Sequence, residues 1–400
     1  MSQQGKQPMK PSYFDAAEFA ARRVQVKAAM ARAGLDLLIC ADPANMDYLT
    51  GFKGWSFYVP QCVLLHADDE HPTWIGRGQD SSAARITTTL PDDHILPYPD
   101  DYVQNRTKHP MHFVADHIKR RGWQRARIGL EMDAYYFSGR GADAIRAALP
   151  DARFSDCDHL VNWVRIVKSE AELAYIREAA VLVTAAMRAG VDGIRTGRRQ
   201  CDVVAEIYAA QIKGTPEFGG DYTAICPLLP TGAGTSTPHL TWSDEPFREG
   251  EATILELAGS RRGYHCPMAR TVHLGKPPKR LADTAAVVID GLHAALAAAR
   301  PGATAEAVEA AWRQVTSKHG IRKESRIGYA FGLAYPPDWG EHTASLRPGD
   351  RTELRPNMTF HCIPGIWEEG WGFEVSAAFV VTPSGGKPLY DFPEELAVKA

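Results

Sequence analysis

Phe19, Val24, Val26 and Met30 recur at helical spacing between Ala16 and Ala33, and Gly34 follows where a helix would stop. The short apolar run Leu37–Cys40 reads as a buried strand, and Val59–His66 and Thr73–Gly76 read as two more. Met111–Arg121 and Gly141–Leu149 have helical patterns, with Ala126–Glu131 a strand between them. This alternation predicts a small α/β domain that ends near residue 160.

A long amphipathic helix is expected next. Ser169 is placed to cap it, with Glu172 three positions later at capping-box spacing, and Leu173, Ile176, Ala180 and Val183 form one apolar face. The domain boundary falls just before it. The second half has a different texture. Helices are expected at Gln200–Ile212, Ala282–Ala299 and Thr304–His319. Strands are expected at Tyr222–Leu229, Ala252–Leu257, Gly263–Leu274, Met358–Ile363 and Ala377–Thr382. Clustered strands and helices without a βαβ rhythm predict α+β. No tandem repeat is visible, and Phe392–Ala400 reads as a surface tail.

Composition narrows the function classes. A chain of 400 residues suggests two or three domains at about 150 residues each. With 44% apolar and 23% charged residues, a packed core rather than disorder is expected. A net charge of -3 gives no electrostatic reason to expect nucleic acid or an anionic membrane as partner. The run Val287–Ala299 contains Asp290 and His293 and reads as too short and too polar to span a bilayer. Met1–Tyr13 is polar and lacks the apolar core of a secretory signal, so a cytoplasmic location is expected. The seven cysteines are scattered singly without a C-x-x-C pair, which predicts reduced thiols rather than a disulfide framework or a cysteine zinc site.

The motifs for a P-loop, a nucleophile elbow and an H-E-x-x-H zinc site do not occur, and the glycine-rich run beginning at Thr231 lacks the full dinucleotide fingerprint. Several polar residues interrupt apolar runs. Glu256 lies in TILELAG, His361 in MTFHCIP and Glu374 in WGFEVSAAFVV. Each either faces outward on an alternating strand or is a paired or functional group, because an unpaired buried charge is expensive. His239 follows a Gly/Thr-rich loop, where a histidine is either solvated or chemical. Aromatics cluster at Phe52, Trp55, Phe57 and Tyr58, and Trp367 and Trp371 bracket Glu368 and Glu369. Such groups serve packing, or cage a small cation.

The stretch VRIVKSEAELAYIREAA resembles the linker and first helix of the creatinase, prolidase and methionine aminopeptidase superfamily, the pita-bread fold. ILELAGSRRGYHCPMARTVHLG resembles that superfamily's central hairpin, with Arg270-Thr271 kept. GYAFGLAYPPDWGE resembles its histidine-bearing glycine loop, and LRPNMTFHCIPGIW its Pro-Gly strand, with Pro364-Gly365 kept. The resemblance spans the chain. It implies an α/β N-terminal creatinase-type domain over residues 1–165 and an α+β C-terminal pita-bread catalytic domain over 166–400.

Metal-dependent members hold two ions with two Asp, one His and two Glu. Here the matching positions are Glu256, Pro267, Tyr329, Ile363 and Ser376, so no metal and no other cofactor is expected. Within the superfamily, LTGFKGWSFYVPQCV, WIGRGQD and YPDDYVQNRTKHPM resemble the metal-free ectoine hydrolases. That resemblance implies opening of the cyclic amidine of ectoine, with its monohydroxylated analogue 5-hydroxyectoine as the second candidate substrate. It implies Glu256 as nucleophile or base, His239 as general acid/base, and Glu374 and His361 orienting the ring N–H groups or water. Trp55, Phe57 and Tyr58, from the neighbouring subunit of a homodimer, would hold the cation, and Tyr222 and Tyr329 would line the pocket. A downstream deacetylase would take the product. The alternatives are a creatinase-like amidinohydrolase acting on another small cation, or an inactive member that binds peptides or partners.

Overall fold

A computed structural model describes residues 13–400. The polar stretch before Tyr13 lies outside them. The chain divides into two units, Met1–Arg165 and Ile166–Ala400.

In the N-terminal unit, α1 (Ala16–Ala33) starts where the Asp15 carboxylate accepts the Glu18 N–H and stops at Gly34 with φ 68°. Strand β1 (Leu37–Cys40) leads into α2 (Pro43–Thr50), which is buried along its whole length. The chain then forms β2 (Cys62–His66), β3 (Thr73–Arg77), α3 (Ser81–Thr87), β4 (Ile95–Tyr98), α4 (Pro110–Arg120), β5 (Arg127–Leu130), α5 (Gly139–Ala148), β6 (Arg153–Asp156) and α6 (Leu160–Arg165). The strands form one mixed sheet in the order β4-β3-β2-β1-β5-β6. Helices α4 and α5 pack Val114, Ile118 and Ile145 against Leu37, Ile39 and Ile128 of that sheet. The strand expected from Val59 begins only at Cys62, because Val59 closes a turn onto Ser56 and Pro60 has no N–H to give a ladder.

The C-terminal unit opens with α7 (Glu170–Gly193), whose Ser169 and Glu172 form the expected reciprocal capping box. Next come α8 (Gln200–Lys213) and the antiparallel hairpin β7 (Ala252–Arg261) and β8 (Tyr264–Leu274). The same order, two helices then a hairpin, follows again in α9 (Lys279–Ala298), α10 (Ala305–Thr316), β9 (Gly328–Tyr335) and β10 (Asp338–Leu346). Then come β11 (Thr359–Cys362), the small hairpin β12 (Ile366–Glu368) and β13 (Trp371–Phe373), β14 (Ala377–Thr382), β15 (Gly385–Pro388) and β16 (Leu396–Lys399). The large sheet runs β15-β14-β11-β9-β8-β16, with β7 on β8 and β10 on β9. Gly259 lets β7 reach α7: a Cβ there would stand 2.1 Å from the Ala179 carbonyl oxygen.

Four expectations are corrected. Tyr222–Leu229 is a loop whose backbone bridge to the sheet is at Leu228; Pro227 breaks the ladder, and the Thr223 hydroxyl donates to the Ile225 carbonyl. The glycine-rich stretch after Gly328 is not a loop but the paired strands β9 and β10. Phe392–Ala400 is not a free tail. Its β16 runs parallel to Thr271–Leu274, and the buried Arg270 guanidinium donates to the Phe392 and Pro393 carbonyls at 2.9 and 2.5 Å. The apolar helix begins at Lys279, so by length and composition it could cross a membrane. Its apolar face, with Leu281, Val288 and Leu292, is instead buried with Trp312 of α10 in the core.

Candidate active site

Successive side chains of β7 alternate between two faces. The odd positions meet α7, as the contact of Leu255 with Gly190 shows. Glu256 therefore points to the opposite face, which Ala258 shares with Trp339, Ala334 and Tyr329. Its backbone is clamped on both sides, paired with Ala269 of β8 and exchanging two 3.1 Å hydrogen bonds with Leu228. Burial, reinforced by the charge of Asp338, pushes the Glu256 carboxyl up to about 8. Asp338 titrates the other way. Burial works against its ionisation, but a 3.0 Å bond with His342 and the Gly340 N–H hold it below the usual carboxylate range.

Glu374 follows β13. The Thr271 hydroxyl donates to its carbonyl at 2.8 Å and accepts its N–H at 2.9 Å, which pins the Glu374 backbone to β8. Burial and then the charge of Glu256 push this second carboxyl well above its ordinary value, with Lys323 opposing them. Two buried carboxyls thus share one electrostatic site, and burial disfavours the ionised form of each. Glu374 Oε2 is buried and, among the described residues, has no hydrogen-bond partner.

His361 lies on β11 opposite Tyr329 of β9. Its Nδ1 is 3.1 Å from the Tyr329 hydroxyl, which accepts the Trp339 indole N–H at 2.8 Å. Burial, with the charges of Arg270 and Arg326, pushes the imidazole down to about 3, so the ring is neutral. With Trp339 donating to the Tyr329 oxygen, we assign the phenol proton to Nδ1, which leaves the ring N–H on Nε2. That Nε2 is buried and, among the described residues, has no hydrogen-bond partner.

The other expected residues are placed differently. His239 is exposed, on a segment whose next residue, Leu240, accepts the Leu229 N–H at 3.0 Å. Its segment therefore lies one chain beyond the Leu228–Glu256 pairing. Tyr222 is exposed in the preceding loop. Trp55, Phe57 and Tyr58 belong to the N-terminal unit. Trp55 and Tyr58 are exposed, whereas Phe57 is buried with its ring centroid 4.7 Å from that of Trp55 and 5.0 Å from that of Tyr136. Trp367 and Trp371 do not form one cage. In the hairpin register Trp367 pairs with Gly372 and Trp371 with Glu368, so the rings lie on opposite faces. Lys323 stands 4.1 Å from the Trp367 ring centre and Arg280 4.4 Å from that of Trp371. A separate cavity of about 240 Å³ beside Trp371, Arg280 and Glu251 includes neither carboxyl of the pair.

Sequence reasoning missed Asp338, Trp339 and Lys323. Asp338 and Trp339 lie between Pro337 and Gly340, which read as a turn. Lys323 had no signal, since it sits in the polar run RKESR.

The chain matches the model of metallopeptidase family M24 over residues 174–383 and that of the creatinase/prolidase N-terminal domain over residues 22–167. It is 45% identical to an ectoine hydrolase of Halomonas elongata, covering 96% of this chain and 98% of that protein. It is 43% identical to an uncharacterized hydrolase/peptidase of Sinorhizobium fredii, covering 98% of this chain and 100% of that one. Its fold is similar to that of a prolidase from Thermococcus sibiricus, with a TM-score of 0.81 at 20% identity over 95% of this chain and 99% of that one.

The donors present do not fit a two-metal centre. Of the five matching positions, Pro267 and Ile363 offer no side-chain ligand atom. The Tyr329 hydroxyl is engaged by Trp339 and His361, and the Ser376 hydroxyl accepts the Ala269 N–H at 2.7 Å. Among the described residues, no group of three His, Cys, Asp or Glu ligand atoms within 4.8 Å of one another includes Glu256.

Proposed function

The chain belongs to metallopeptidase family M24, and from that premise we propose that this hydrolase opens the cyclic amidine of ectoine to N-acetyl-2,4-diaminobutyrate without a metal. The observation that carries the reading is the buried carboxyl pair Glu256 and Glu374, standing where the family's remaining metal donors are replaced. The 45% identical ectoine hydrolase supplies the substrate class.

The chemistry follows from the charge of the ring. Ectoine is an amidinium, and its carbon between the two ring nitrogens is already electrophilic. Hydrolysis forms a C–O bond at that carbon, breaks one C–N bond and delivers a proton to the departing nitrogen. A cation entering beside two buried carboxyls favours their ionised forms. Glu256 then attacks the carbon itself or takes the proton of an attacking water. Glu374 pairs with the ring N–H groups, and the His361 Nε2–H donates to the incoming oxygen. His239, on its exposed segment, protonates the leaving nitrogen, and Tyr222 and Tyr329 line the site.

We place the reaction in a cytoplasmic homodimer whose neighbouring subunit brings Trp55 and Tyr58, with Phe57 behind Trp55, to the cation. A deacetylase would consume the product. The test is NMR of chelator-treated protein with ectoine, alongside creatine and a proline dipeptide. Loss of the ring signals, unchanged by chelation, is expected. Activity lost on chelation and restored by manganese or zinc overturns the metal-free mechanism. Cleavage of a control compound in place of ectoine overturns the substrate.

A further inference from the structure

A molecule with an amidinium at one end and a carboxylate at the other needs a cation beside the carboxyl pair. Three cationic side chains act electrostatically on this site. Arg270 is spent: its guanidinium donates to the carbonyls of Ala269, Ser376, Phe392 and Pro393. Arg326 lies over the Tyr329 ring at 4.4 Å and donates to the Ser345 hydroxyl at 3.0 Å. Lys323 is different. Among the described residues its ammonium donates to the Gly365 carbonyl at 2.7 Å, which leaves two of its three N–H groups for a ligand.

The surroundings of Lys323 are built around Gly365. A Cβ on that glycine would stand 2.4 Å from Cζ2 of Trp367 and 3.0 Å from Oε1 of Glu374. The glycine therefore lets a carbonyl, an indole and a carboxyl converge where any side chain would fill the space. Among the described residues the buried Trp367 Nε1–H has no hydrogen-bond partner, nor has Oε2 of Glu374. An unused indole donor, a half-used ammonium and an unused carboxyl oxygen thus lie around one glycine.

We infer that Lys323, with the Trp367 indole N–H beside it, receives the carboxylate of the substrate. This rests on the ectoine reading and names the residue that recognises the anionic end. The spacing suits it: the ring bears its carboxylate on the carbon next to an amidinium nitrogen. Receptors for the two ends must therefore be neighbours, and Lys323 is near enough to oppose the rise of Glu374. Burial pushes the Lys323 ammonium down to about 8, with the charge of Glu374 working against that fall.

The experiment compares ectoine with the same cyclic amidine lacking its carboxylate, in the wild-type protein and in K323M and K323Q. Either neutral variant that keeps the wild-type circular dichroism serves. The expected result is a KM for ectoine raised about 10- to 100-fold, the loss of one charge-assisted contact, with the KM for the carboxylate-free amidine unchanged and kcat little altered. An equal effect on both compounds, which a merely structural lysine would give, overturns the inference, as does no effect on either. A wild-type protein that opens neither compound overturns the ectoine reading instead.

Discussion

The Tyr329 hydroxyl stands between two side chains, taking the indole N–H of Trp339 and facing Nδ1 of His361 at 3.1 Å. The sequence resemblance sets Tyr329 against a histidine-ligand position of metal-dependent members, and here it is a phenol facing a neutral imidazole. Y329F removes an acceptor from Trp339 and a donor from His361 while keeping the ring. We expect a loss of about 1–3 kcal/mol in urea denaturation, the cost of leaving buried polar groups unsatisfied, together with a lower kcat. Unchanged stability and unchanged kcat would mean that the hydroxyl orders nothing.

Glu256 sets catalysis against stability. Its carboxyl holds a proton up to about pH 8 in the folded chain, against 4.5 as the ordinary value. Between those limits the folded state binds more protons than the unfolded one, so stability is present below the lower value and is lost as pH rises through about 8. E256Q cannot ionise and escapes that loss. Thermal melts at pH 5, 7 and 9 should show the variant gaining on the wild type as pH rises, while turnover of ectoine is abolished at every pH. A variant with near-normal turnover would sink the assignment of Glu256.

The pH–rate profile has a definite sign. In the free protein kcat/KM reports the ionisation of the attacking or proton-accepting carboxyl, so it should rise with pH towards about 8. Asp338, held low by His342, and His361, pushed down to about 3, do not titrate in that range. Lys323 begins to lose its proton near 8 as well, so the profile should turn over rather than level off. K323M should lack the falling limb. A wild-type profile that falls steadily from pH 6 to 8 would contradict the carboxylate as the acting form.

The sequence makes local decisions legible and distant ones obscure. Gly34, Ser169 and Glu172 announce their helix ends because each cap acts over a few residues, whereas the Asp15 cap shows only in the structure. Glu256 and Glu374 stand out because a carboxylate in an apolar run demands an explanation, although sequence pattern could not say that the two interact. Strands β9 and β10 are hidden by their glycines and prolines, which read as turns until the pairing partner is known. The tail is ordered by Arg270, more than a hundred residues earlier in the chain. Lys323 looks like an ordinary surface charge, and its partners Gly365, Trp367 and Glu374 come from a different hairpin.

Lys168 and Glu341 tie the start of the C-terminal unit to the strand that bears Asp338. The Lys168 ammonium donates to Glu341 Oε2 at 2.7 Å and to the Ile166 carbonyl at 3.1 Å, with both side chains at most 1% exposed. Gly332 makes room for them, since a Cβ there would stand 2.5 Å from Glu341 Oε1. K168M removes the ammonium and leaves the carboxylate in the interior, at a cost of about 3–5 kcal/mol. Replacing both partners, as in K168M/E341L, deletes the charge with its counter-charge and should recover much of that loss in urea denaturation. Recovery of stability without recovery of turnover would show that the pair holds β10, and with it Asp338, in the geometry that Glu256 needs. If the double variant is no more stable than K168M, the cost lies in packing around Gly332 rather than in a stranded charge.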